Sequence, residues 1–121
     1  MKMAFVSVNV EEDFISVSFD AGEEALMELG SKMNEACDSA YMNGYNWDAF
    51  INAYLEENAP ELLESIESDP EAEMYCVYIE DTSDSGKAVA SALASLIDDL
   101  LSDESAVLSF LSENADSIEW D

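Results

Sequence analysis

Arginine and histidine are missing from this chain altogether, and lysine occurs only three times in 121 residues. Each absence removes a class of chemistry. Without histidine there is no Ser–His or Cys–His catalytic pair and no imidazole ligand for a metal. Without arginine there is no planar fork to grip a phosphate. Twenty-nine aspartates and glutamates stand against the three lysines, a formal charge of −26. A surface of that sign repels nucleic-acid phosphates and anionic lipid, so neither direct nucleic-acid binding nor membrane binding is expected. There are only two prolines and no Pro/Gly/Ser-rich linker, so residues 1–121 read as one domain. No run approaches the ~18 apolar residues of a membrane span. The opening Met1 to Val8 alternates where a secretory leader would be continuously apolar, which predicts a soluble, cytoplasmic protein. Cys37 and Cys76 lack C-x-x-C spacing and fall on apolar faces, so they read as buried thiols and not as a disulfide.

What is present argues for a packed core. Hydrophobic residues make up 49% of the chain and aromatics 10%, whereas disordered acidic tails are poor in both. A chain of this length buries roughly two-thirds of its unfolded surface. Small domains usually carry a net charge of about 2–8, so basic residues have been selected against everywhere. A basic protein partner is drawn in by such a field. Adaptation to high salt is the competing, non-functional explanation. Paired carboxylates can do acid–base work, but with so many no pair stands out, and a glycosidase needs a larger groove-forming fold. The chain reads as a non-enzyme. In Asp81-Thr82-Ser83-Asp84-Ser85-Gly86 the glycine falls where a calcium-binding EF-hand loop has its own, but Ala92 occupies the position of the bidentate glutamate. The segment reads as a helix-capping loop, and no metal or cofactor is expected.

Periodicity gives the architecture. Val6, Val8 and Val10 alternate with Ser7 and Asn9, and Ile15, Val17 and Phe19 with Ser16 and Ser18, so residues 4–19 predict a hairpin of half-buried strands. Asp20 is placed to cap a helix carrying Leu26, Leu29, Met33, Cys37 and Ala40 at spacings of three and four, with Gly30 as a weak point. Asn43-Gly44 reads as a turn and Asn46 as the cap of a second helix. Trp47, Phe50, Ile51, Tyr54 and Leu55 lie on one face of that helix, and Asp48, Asn52, Glu56 and Glu57 on the other. Pro60 opens a short helical piece with Leu62, Leu63 and Ile66 inward, which Asp69-Pro70 stops. Met74 to Ile79 is continuously apolar and predicts a strand buried on both faces. At a sheet edge such a strand would support a homodimer, so monomer and homodimer both stay open. Two helices close the chain, one with Val89, Leu93, Leu96, Ile97 and Leu100 inward, the other opened by Asp103 and Glu104. The expectation is an α+β fold: a small, mostly antiparallel sheet, formed by the N-terminal hairpin and a strand near 74–79, with helices packed on one side.

Tyr41 and Tyr45 flank the turn before the second helix, and tyrosine is enriched at interface hot spots. They are candidate partner anchors, with Asp48 beside them. Trp47 is a candidate too, although its place on the apolar stripe equally makes it a core residue shaping the loop. The acidic candidates are Glu56, Glu57, Glu61 and Glu64, followed by Asp69 and Glu71.

The stretch Gly44-Tyr45-Asn46-Trp47-Asp48-Ala49-Phe50, then Tyr54-Leu55 and Asp69-Pro70-Glu71-Ala72-Glu73-Met74, resembles the immunity protein 51 family of bacterial polymorphic-toxin systems. In that family a G-Y-x-W-[DE] turn precedes a helix and a D-x-E-A segment leads into a strand. The resemblance implies a cytoplasmic antidote that binds a cognate toxin domain, often a basic nuclease, and blocks it without doing chemistry. The alternative is a DNA mimic whose carboxylates imitate a phosphate track and occupy DNA-binding or restriction proteins.

Overall fold

The computed structural model describes residues 5–120. Met1 to Ala4, which entered the leader and hairpin readings above, lie outside the described residues. Four strands, β1 (Ser7–Val10), β2 (Ile15–Asp20), β3 (Glu67–Ser68) and β4 (Met74–Ile79), form one antiparallel sheet in the order β1-β2-β4-β3. Ile15, Val17 and Phe19 face Ile79, Val77 and Tyr75 across the central pair, and all six are buried. Phe19 stacks on Tyr75 with ring centroids 4.9 Å apart. Helices pack on that face, which makes the fold α+β as the periodicity predicts.

Two strand readings need correcting. β4 is apolar throughout but only partly buried on its second side: Tyr75, Val77 and Ile79 are enclosed, while on the opposite face Cys76 is buried and Met74 and Tyr78 are half-buried. Nor is it an edge, because β2 and β3 flank it, so the route to a homodimer through residues 74–79 loses its premise. The edges are β1 and β3, and β1 is exposed along its whole length, with Val8 at 42% and Val10 at 53%. Alternation marks which way side chains point; it does not report whether a helix lies over them.

The helices are α1 (Glu24–Ala36), α2 (Gly44–Asn58), α3 (Pro60–Glu64), α4 (Asp84–Leu101) and α5 (Glu104–Asn114), followed by a 3₁₀ turn at Ala115–Ser117. α1 runs through Gly30 without a break. Its start is not capped by Asp20, whose carboxylate instead accepts from the Gly22 N–H at 2.7 Å and closes a tight turn. At α2 the cap is Asn43, not Asn46: Asn43 Oδ1 accepts from the Asn46 N–H at 2.8 Å. Asn46 is itself buried, its side-chain amide donating to the Tyr41 carbonyl at 2.7 Å. Leu62, Leu63 and Ile66 are half-buried around α3. Asp103 caps α5 by accepting from the Ala106 N–H. Asp98, an acid inside α4, is buried because its Oδ1 accepts from the Phe5 and Val6 N–H groups at 2.8 and 3.1 Å, tying the N-terminal segment to the helix. No helix among the described residues is long and apolar enough to cross a membrane.

Candidate partner-binding groove

The inner face of α2 is sunk in the core through Trp47, Phe50, Ile51 and Leu55. Its outer face follows the helical repeat, Tyr45, Asp48, Ala49, Asn52, Ala53 and Glu56, and forms one wall of a groove of about 830 Å³. Phe110 and Asn114 of α5, with Glu119 and Trp120 beyond it, face that stripe, and Leu63 and Pro70 also line the hollow. A hydrogen bond from the Trp120 indole to the Ala115 carbonyl (3.2 Å) and edge-to-face packing of Phe110 on Phe50 and Tyr54 fix the aromatic side. Asp48, Glu56, Glu57 and Glu119 all line the groove, and neither Lys32 nor Lys87 does. Lys32 is engaged elsewhere, with Glu104 at 2.6 Å.

The half-buried Asp48 and Asn52 form a polar cluster with the exposed Ser68. The Asn52 amide donates to Asp48 Oδ2 at 3.2 Å and reaches the Ser68 hydroxyl at 3.4 Å. Burial raises the pKa of Asp48, and hydrogen bonds from Ser68 and Asn52 work against that rise. The Tyr75 phenol is held protonated, first by its burial and then by the nearby Asp48 charge. Among the described residues, Asp48 Oδ1, Asn52 Oδ1, the Tyr75 hydroxyl and the Trp47 indole N–H are buried without a hydrogen-bond partner. Two of these atoms are acceptors, whereas the protonated Tyr75 phenol and the Trp47 indole can donate.

Four of the ten sequence candidates meet here: Tyr45, Asp48, Glu56 and Glu57. The others do not. Tyr41 is 71% exposed and lines a separate hollow of about 560 Å³ with Met27 and Glu73. Trp47 is fully enclosed, packing edge-on against Phe19 and Phe50, so it cannot touch a partner of the folded protein. Glu61 is exposed on α3, and Glu64 lines a third hollow, of about 360 Å³, with Glu80 and Asp81. Asp69 accepts a hydrogen bond from the Tyr78 phenol and raises its pKa. The sequence reading missed Ser68, Tyr75, Phe110, Glu119 and Trp120, and it placed Asn52 on the outer face without giving it a role. Nothing in their spacing links them to Asp48.

The Asp81 carboxylate accepts from both the N–H and the hydroxyl of Ser83, which staples the loop before α4 and holds the pKa of Asp81 down. Among the described residues no three acidic or thiol side chains gather as metal ligands.

The sequence pattern of the immunity protein 51 family matches this chain over residues 5–116. The chain belongs to that family. No curated protein and no solved structure matches it. The geometry explains why the two halves of the immunity-protein motif occur together. The Gly44 N–H donates to the Ala72 carbonyl at 2.8 Å, and a Cβ on Gly44 would lie 1.7 Å from the Glu71 carbonyl oxygen. Gly44 is therefore a close-approach glycine in the first turn of α2, and no described glycine has a positive φ. The motif builds a joint that pins the start of α2 to the loop before β4, and so fixes one end of the groove.

Proposed function

We propose that this immunity protein neutralises a basic toxin domain, of the nuclease type, by stoichiometric binding through its acidic surface, with the α2 groove as the centre of the interface. One observation carries the reading: Asp48, Glu56, Glu57 and Glu119 converge with Tyr45 and Trp120 on a groove that neither described lysine lines. A nuclease holds phosphates with cationic side chains, and an acidic, aromatic-walled groove complements such a surface. Steering by unlike charge lifts association towards ~10⁸–10⁹ M⁻¹s⁻¹ at low salt, the regime an antidote needs. The inhibitor does no chemistry; it occupies the surface that the substrate would use.

The test is affinity capture from the source organism with tagged protein, at low and at physiological salt. One basic toxin domain retained at physiological salt, with its activity blocked at one-to-one stoichiometry, is the expected result. Retention of many unrelated DNA-binding proteins that wash away with salt would overturn it and leave a polyanion or DNA mimic.

A further inference from the structure

We propose that the open edge of β1 takes up an extended cationic arm of the bound toxin as a fifth strand of the sheet. The inference adds a second contact to the function proposed above and rests on it. The backbone supplies the first support. The Glu11 N–H donates to the Phe14 carbonyl at 2.8 Å, and Asn9 and Ser7 pair with Ser16 and Ser18 two and four residues back. Hydrogen-bonded pairs alternate along an antiparallel ladder, so β1 bonds to β2 through Ser7, Asn9 and Glu11. The N–H and C=O groups of Val8 and Val10 therefore point away from β2, where no described strand pairs with them. Val6, next in the same alternation, already has its N–H on Asp98 Oδ1. The side chains supply the second support. Val8 and Val10 pair with the buried Val17 and Ile15 and share their face, yet both stay exposed. A strand laid beside them sets its own alternate apolar side chains against this rim.

Charge decides the occupant. Edge strands are ordinarily guarded by lysine, proline or a bulge. β1 has none of these: its register runs unbroken from Ser7 to Val10, and residues 5–20 hold no lysine or proline. They do hold Glu11, Glu12 and Asp13, all exposed, at the hairpin tip beside Val10. Those acids repel an acidic strand and attract a cationic one. A second copy of this chain brings a further −26 charges. A four-residue edge is also far short of the ~20–30 residues a side of a stable interface, so self-pairing has little to offset that repulsion. The opposite edge, β3, is the one whose Ser68 touches Asn52 of α2. The occupant of β1 is accordingly an arm extending from the toxin body, its weak strand pairing added to the contact made at the groove.

The experiment titrates a blocked Lys-Val-Lys-Val-Lys peptide into isotope-labelled full-length protein, following backbone amides by NMR and hydrogen exchange. The comparators are Glu-Val-Glu-Val-Glu and a lysine peptide N-methylated at alternate amides. In the free protein the Val8 and Val10 amides should exchange fast and those of Ser7 and Asn9 slowly. The lysine peptide should protect Val8 and Val10, and neither comparator should. Val8→Pro removes an outward N–H without touching the ladder to β2, and should weaken binding by about tenfold or more. Glu11→Gln/Glu12→Gln leaves the backbone intact and should weaken it several-fold, whereas Glu61→Gln on α3 should not; the spectra report that each variant is folded. Undiminished binding to both the proline and the double-glutamine variants, or no protection of Val8 and Val10, would overturn the proposal. So would protection already present in the free protein, which marks a second copy if it grows with protein concentration. Because the peptide assay needs no toxin, its failure leaves the immunity reading standing. That reading fails separately, if the wild-type protein captures no toxin.

Discussion

Asp48 sits where its charge is uncomfortable. Burial raises its pKa in the folded state, and the hydrogen bonds from Ser68 and Asn52 offset only part of that. A carboxyl whose folded pKa lies above its unfolded value favours folding when protonated, and that contribution is lost as pH rises through the folded pKa. At neutral pH the ionised Asp48 therefore opposes folding. Asp48→Asn, which keeps the shape without the charge, should raise Tm at pH 7. The advantage over wild type should shrink as the pH falls through the folded pKa and be gone below about 4, where the wild-type carboxyl is protonated in both states. Thermal melts across that range check it, and a variant less stable than wild type at pH 7 would remove the argument. Gly44 is the opposite case, a residue kept for the fold. Adding one methyl group puts carbon 1.7 Å from the Glu71 oxygen and displaces α2 from the loop before β4. Gly44→Ala should cost about 2 kcal/mol or more by urea denaturation, even though alanine is the better helix former.

The start of α2 also shows how capping divides between neighbours. Asn43 accepts from the Asn46 N–H, and the Asn46 side chain holds the Tyr41 carbonyl. Asn43→Ala should therefore cost about 1 kcal/mol, the usual worth of an N-cap, as a shift in the denaturation midpoint without a change in slope. The sequence reading had the correct segment and the wrong asparagine, because two asparagines three residues apart satisfy the same capping pattern. Long helices were legible: the stripes Leu26-Leu29-Met33 and Trp47-Phe50-Ile51-Leu55 are buried as their spacing predicts. Edges were not. Val8 and Val10 alternate like core residues, yet β1 lies at the rim of the sheet, a fact about neighbours and not about period. β3, two residues long, exists only because β4 pairs with it and carries no local signal. The groove divides the same way. Tyr45, Asp48, Asn52 and Glu56 share one helical face and could be read together, whereas Leu63, Pro70, Glu119 and Trp120 arrive from other parts of the chain.

At the scale of the whole molecule the charge acts twice, on stability and on encounter. With −26 charges and few cations, self-repulsion opposes the compact state. Raising salt from low to moderate concentration should raise Tm in calorimetry, and a fall would show that self-repulsion does not govern the stability. Encounter is more local, because at physiological ionic strength a charge is felt over only about 8 Å. The carboxylates that steer the toxin in the last approach are therefore those rimming the contact, not the total. This separates two pairs of glutamates that lie close together in the sequence. Glu56 and Glu57 line the α2 groove, whereas Glu61 lies on α3 and Glu64 borders another hollow. Each pair, replaced by glutamine, removes the same two charges. If the groove is the interface, Glu56→Gln/Glu57→Gln should slow toxin association several-fold and flatten its salt dependence, and Glu61→Gln/Glu64→Gln should do less of both. Stopped-flow association over a salt series reads the difference. Equal slowing by both pairs would mean that the field of the whole chain does the steering, and a larger effect from Glu61 and Glu64 would move the interface to α3.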